Sequence, residues 1–258
     1  MNFYLCLLFA GLTAGLPLLG AVLGGRSVGQ YTEFPPTTQY VPHAAFAWPV
    51  FVGLAALILV VVAPFLIRLV SALLLSEITG HPHTPTLPHS HTPTRPFPPW
   101  GWLGLAFGAV AWLLAWTRFA WFEPLQPFTF SPLWFAYILV VNALAFQRTG
   151  RCMMLNQPRY FLCLFPVSAG FWWFFEYLNR FVQNWYYVGV TGLTPLQYFV
   201  FATLPFSTVL PAVLGTYELL ASLPSTAAGL DAFVKVNTRR PRLVAAVSLG
   251  VFCAGLAG

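Results

Sequence analysis

This chain is poor in charge. Its 258 residues carry 12 Lys and Arg against 6 Asp and Glu, 7% in all, where a soluble domain carries about 25%. Eighteen charges cannot cover the water-facing surface of a globule this size, so an ordinary soluble domain is excluded. The same figures exclude intrinsic disorder, collagen and coiled coil. Cysteine is sparse too. Cys6, Cys152, Cys163 and Cys253 are scattered, with no CxxC and no short Cys/His spacing. Neither a disulfide framework nor a Cys-based zinc site is expected from them.

Histidine is absent from every long apolar run. His43, His81, His83, His89 and His91 all fall between such runs. Transmembrane b-type haem is normally held by helix-borne imidazoles, so this chain alone is not expected to ligate one. The sequence also lacks Ser-x-x-Lys, a nucleophile elbow, a Gly-rich phosphate loop and His-Glu-x-x-His. Enzyme classes with strong local signatures are disfavoured. No cofactor is expected.

What the chain has is apolar length: 58% hydrophobic and 17% aromatic residues. Runs long enough to cross a bilayer, which need about 20 residues, occur at 3–24, 46–67, 101–121, 132–147, 161–181, 197–221 and 242–258. The expected fold is all-α, a polytopic transmembrane helical bundle of about seven spans in one membrane domain. The first run lacks a basic leader and reads as an uncleaved helix. Gly11, Gly15, Gly20 and Gly24 give it a small-residue face for close packing. The seventh stops at Gly258 without a polar tail, which predicts that the natural chain continues.

Seven crossings sort the Lys and Arg onto two sides. Nine (Arg68, Arg95, Arg148, Arg151, Arg159, Lys235, Arg239, Arg240, Arg242) share the side of the N-terminus, and three (Arg26, Arg118, Arg180) lie opposite. The positive-inside rule then predicts a cytoplasmic N-terminus. The net charge of +6 serves topology and lipid headgroups; no nucleic-acid partner is expected. Membrane lipids, and other membrane subunits, are the expected partners.

Residues 79–100 (TGHPHTPTLPHSHTPTRPFPPW) form a Pro/Thr/His-rich connector that cannot bury apolar area. His81-Pro-His83 and His89-Ser-His91 have the density of a weak metal site, but the prolines splay the chain and no Cys or acid joins them. A plain linker is the expected reading.

Charges inside spans are functional candidates, because burying them in lipid is costly. Glu176 stands about five residues, roughly 7 Å, from the outer end of the fifth span. Asn179, Arg180 and Gln183 follow at i+3, i+4 and i+7 on one helical face, with Arg180 spaced to neutralise Glu176. Asn184, Trp185, Tyr186 and Tyr187 mark the water interface. Arg118, Glu123 and Gln126 are expected on the same side. Phe171, Trp172, Trp173, Phe174 and Phe175 surround the site, and a run that covers every helical direction must turn some rings inward. Glu218 lies near the opposite end, some 15–20 Å away in depth by helix rise. Only a helix broken near Pro205 and Pro211 would bring the two acids together. A structural ion pair locking helix ends is the plain alternative to a ligand site.

Three stretches carry a resemblance: TFSPLWFAYILVVNALAFQRTGR (129–151), FWWFFEYLNRFVQNWYYVGV (171–190) and FATLPFSTVLPAVLGTYELL (201–220). They resemble a group of uncharacterised polytopic bacterial membrane proteins that share Phe-Glu-x-x-Asn, then Asn-Trp-x-Tyr, then Phe-Ser-Thr-Val-x-Pro-Ala-Val ending in Thr-x-Glu-Leu. The order of aromatic spans bearing single acids is also similar to lycopene-type carotenoid cyclases, whose paired acidic motif is absent here. The resemblance to the first group implies no activity. It does imply that Glu176, Asn179, Asn184, Trp185, Tyr187, Ser207, Thr208, Pro211, Thr216 and Glu218 belong to a recurring pattern. Binding or modification of an apolar lipid, such as an isoprenoid or quinone, is the leading expectation. A non-catalytic subunit of a larger membrane complex follows it. A transporter or channel comes third, since two buried carboxylates do not make a continuous polar path.

Overall fold

A computed structural model of the protein describes residues 3–36, 45–79, 95–187 and 192–223, and all regular structure among them is helical. Five segments, Trp48–Arg68, Pro99–Trp116, Phe130–Thr149, Pro158–Val182 and Pro195–Ala221, are long and apolar enough to cross a membrane. The protein is a helical, multi-pass membrane protein. The expected seventh span (242–258) and the histidines His81, His83, His89 and His91 lie outside the described residues.

Helix α1 (Phe3–Leu23) occupies the first expected span, and the short α2 (Gly29–Thr32) follows it. Helix α3 (Trp48–Thr79) has 32 residues, about 48 Å by rise per residue, so it outruns a hydrocarbon core of about 30 Å. Helix α4 (Pro99–Trp116) opens on a proline, whose missing N–H costs nothing in the first turn. It stops where both the N–H and the hydroxyl of Thr117 go to the Leu113 carbonyl. That capping ends the third span earlier than hydropathy predicts, and a 3₁₀ segment, Ala120–Phe128, carries on with Pro124 and Pro127 inside it.

Helix α5 (Phe130–Thr149) ends at Gly150, whose φ of 72° closes the cap. The Arg95 guanidinium lies over this glycine, and an added Cβ would meet its Cζ at 2.8 Å. Then come the short α6 (Met153–Asn156) and α7 (Pro158–Val182). The sixth expected span is two helices, α8 (Pro195–Ser207) and α9 (Val209–Ala221).

The described residues form two compact units. The first comprises residues 3–36, 173–187 and 192–199; the second comprises 45–79, 95–172 and 200–223. In the second unit α4 packs tightly on α5. A Cβ on Gly101 would meet that of Ala143 at 2.6 Å, and one on Gly104 would meet that of Leu139 at 3.0 Å. Among the described residues, no neighbouring atom lies within 4 Å of a Cβ built on Gly11 or Gly15. Helix α9 packs on the other flank of α5, where Gly215 faces Val141 and Asn142, and Ile138, Met153, Phe161, Leu164 and Ala212 form a buried cluster.

The break between α8 and α9 has a local and a distant cause. Pro211 has no N–H to give the Ser207 carbonyl, and the Thr208 N–H turns back to Pro205 at 3.1 Å. From α7, the buried Ser168 hydroxyl donates to the Phe206 carbonyl at 2.6 Å and accepts from the Leu210 N–H at 3.0 Å. Those two groups would bond each other in a continuous helix. Ser168 is inserted into the ladder, one of the recognised causes of a sharp bend.

Candidate functional site

In the first unit, the end of α7 builds the site. Gln183, just past the helix, adopts a left-handed φ of 53°, and its N–H reaches the Asn179 carbonyl at 2.7 Å. The chain doubles back. The Asn179 side chain then holds both backbone groups of Trp185, donating to its carbonyl at 2.8 Å and accepting from its N–H at 3.3 Å. With residue 185 fixed, the Trp185 indole donates to Glu176 Oε1 at 3.1 Å, and the Tyr187 hydroxyl donates to the same oxygen. Glu176 is 3% exposed. Burial, then the hydrogen bond to the carboxylate, holds the Tyr187 phenol well above its ordinary pKa, so it remains a donor.

The i,i+4 pairing of Glu176 with Arg180 is corrected by this geometry. Among the described residues no ion pair joins them; Arg180 Nη1 instead donates to the Tyr31 carbonyl at 2.7 Å. The shared inward face is corrected as well. Glu176 and Asn179 are buried, but Gln183 and Asn184 are exposed, because the helical register ends at Val182. The structure brings together Glu176, Asn179, Trp185 and Tyr187. Around them it adds residues that periodicity did not single out. Tyr31 stacks on Phe181 at 4.4 Å, and Tyr198 meets Phe34 edge-on at 5.7 Å and Trp173 at 6.2 Å. The buried Tyr198 lies within electrostatic reach of both Glu176 and Arg180.

Glu218 belongs to the second unit and does different work. Its Oε2 accepts the Met153 N–H at 2.8 Å, at the start of α6. The neighbouring N–H groups are also taken, Cys152 by Asn156 Oδ1 at 2.8 Å and Met154 by Asn142 Oδ1 at 3.2 Å. Asn142 is fully buried and returns its amide to the Ile138 carbonyl. Burial raises the Cys152 thiol pKa, keeping it a thiol. This is a clamp on the α5–α7 connection, built from side-chain acceptors for the orphan donors of a helix start. Arg118 and Glu123 also belong to the second unit, where both are exposed; Gln126 donates to the Ala115 carbonyl at 2.7 Å. Among the described residues no three His, Cys, Asp or Glu gather as a metal site would require.

No protein-family model, curated protein or solved structure matches this chain. The chemistry of the site therefore rests on its own geometry: a buried carboxylate held by two aromatic donors, beside an arginine and a ring cluster.

Proposed function

We propose that this protein is a bacterial inner-membrane protein that binds an apolar lipid of the isoprenoid or quinone kind, with Glu176 as its polar handle. The observation that carries the reading is the buried Glu176 carboxylate, fixed by Trp185 and Tyr187 next to the Phe34–Trp173–Tyr198 aromatic cluster. Aromatic walls with a few fixed polar groups are the usual make-up of a small-molecule site. The residues of the Phe-Glu-x-x-Asn and Asn-Trp-x-Tyr pattern are the ones that build this hydrogen-bonded module.

The topology we propose has the N-terminus in the cytoplasm. It is supported in the second unit by Arg95, Arg148, Arg151 and Arg159, which lie at one end of α4, α5 and α7. The Arg95 N–H bonds the Gln147 carbonyl, and Arg148 reaches Ser222 beyond the end of α9. A second reading, a non-catalytic subunit of a larger complex, is favoured by α3, since among the described residues none of the apolar stretch Trp48–Arg68 is buried. Mass spectrometry of the detergent-purified protein separates the two. A stoichiometric apolar lipid supports the first reading, and a stable set of partner polypeptides with no such lipid supports the second.

A further inference from the structure

The groups around Glu176 have hydrogen-bonding capacity that the described protein does not use. Both donors to Glu176 converge on Oε1, and Oε2 receives none from any described residue. Arg180 uses Nη1 on Tyr31, while its buried Nε–H has no partner among the described residues. The Tyr198 hydroxyl is buried and also without a partner among the described residues, and the residue is only 4% exposed. Native proteins leave few buried polar groups unpaired, and each one calls for an explanation. Here two such groups, the Arg180 Nε–H and the Tyr198 hydroxyl, stand in one unit with Glu176, and Tyr198 is in electrostatic reach of both other residues.

Their chemistry restricts what completes them. Glu176 Oε2 only accepts, Arg180 Nε–H only donates, and the Tyr198 hydroxyl does either. One carboxylate and one guanidinium leave no net charge for an ionic head to neutralise. A phosphate or carboxylate head would face the open oxygen of Glu176, and an ammonium head would face Arg180. A ketone, ester or ether offers lone pairs alone and leaves Oε2 unanswered. A hydroxyl answers both kinds of group.

We propose that this site takes a neutral, hydroxyl-bearing apolar lipid, its O–H donating to Glu176 Oε2 and its oxygen accepting from both the Tyr198 hydroxyl and the Arg180 Nε–H. This rests on the lipid-binding reading for the apolar tail, which the rings of Phe34 and Trp173 beside Tyr198 would contact.

The test uses the full chain in detergent and follows tryptophan fluorescence, since Trp173 and Trp185 border the site. It is titrated with farnesol, farnesyl methyl ether and farnesyl phosphate. Farnesol is expected to bind saturably, with the ether about tenfold weaker for want of one hydrogen bond, and the phosphate weaker than farnesol. Glu176→Gln puts an amide N–H₂ where Oε2 stood, so the preference for alcohol over ether is expected to disappear while ether binding persists. Tyr198→Phe removes a donor that both ligands use and is expected to weaken the two equally. Ether or phosphate binding as tightly as farnesol overturns the hydroxyl assignment and leaves lipid binding standing. If none of the three binds and no apolar lipid co-purifies, lipid binding itself fails, and ordered water completes the three groups.

Discussion

Two glutamates in apolar surroundings are treated in opposite ways. In the second unit, Glu218 accepts a backbone N–H at the start of α6, beside Asn142 and Asn156, which take the adjacent ones. In the first, Glu176 accepts from two side chains, and an arginine Nε–H and a tyrosine hydroxyl nearby have no partner among the described residues. A carboxylate matched to backbone donors is fixed by the fold and serves it. A carboxylate held by side chains, with unpaired polar groups beside it, has capacity left for a ligand. Polar groups in the second unit should therefore matter for stability and those in the first for binding.

The sharpest attack on that contrast is Asn142→Leu. It leaves the Met154 N–H without an acceptor and forces a larger apolar group against α9, so about 3 kcal/mol of stability should be lost. Thermal unfolding in detergent measures it, and retention of any co-purified lipid by the folded fraction should be unchanged. Ser168→Ala comes next. It strips the partner from both the Phe206 carbonyl and the Leu210 N–H, at a cost of about 2 kcal/mol. An unchanged midpoint would mean that those groups rejoin directly and that the prolines alone hold the break.

Arg180→Leu should cost only about 1 kcal/mol, because it removes one bond to the Tyr31 carbonyl together with an unpaired Nε–H. A buried ion pair with Glu176 would make the loss about 3–5 kcal/mol, so the same unfolding measurement decides between the two. The smallest effect is in pH. The Tyr187 phenol has a raised pKa in the folded state. Its contribution is complete below the ordinary tyrosine value near pH 10 and is lost as pH rises above that value towards the folded one. The parent should lose stability more steeply than Tyr187→Phe above about pH 10. Parallel curves would show that the Tyr187–Glu176 bond contributes nothing.

Much of this could be read along the chain. The apolar runs beginning near residues 3, 132 and 161 correspond to the helices α1, α5 and α7, because apolar length is a local property of composition. Glu176 and Asn179 were identifiable as polar residues at helical spacing. Gln183 was misplaced by the same reasoning, since periodicity assumes a helix that continues, and a single left-handed residue ended it. Tyr31 and Tyr198 carried no signal, as nothing in their neighbours marks a partner on another helix.

The sequence by itself determined the helical membrane class and most span positions, because a shortage of charge and runs of apolar residues act through the solvent rather than through particular contacts. It also set where the sixth span is weak, through Pro205 and Pro211. Only the tertiary structure decided that Ser168 from α7 enters that weak point, that Glu218 serves a helix start, and that Glu176 pairs with Trp185 and Tyr187 instead of Arg180. Each of these is a choice among several chemically equivalent partners. Such a choice is made by distance and direction after the chain has turned.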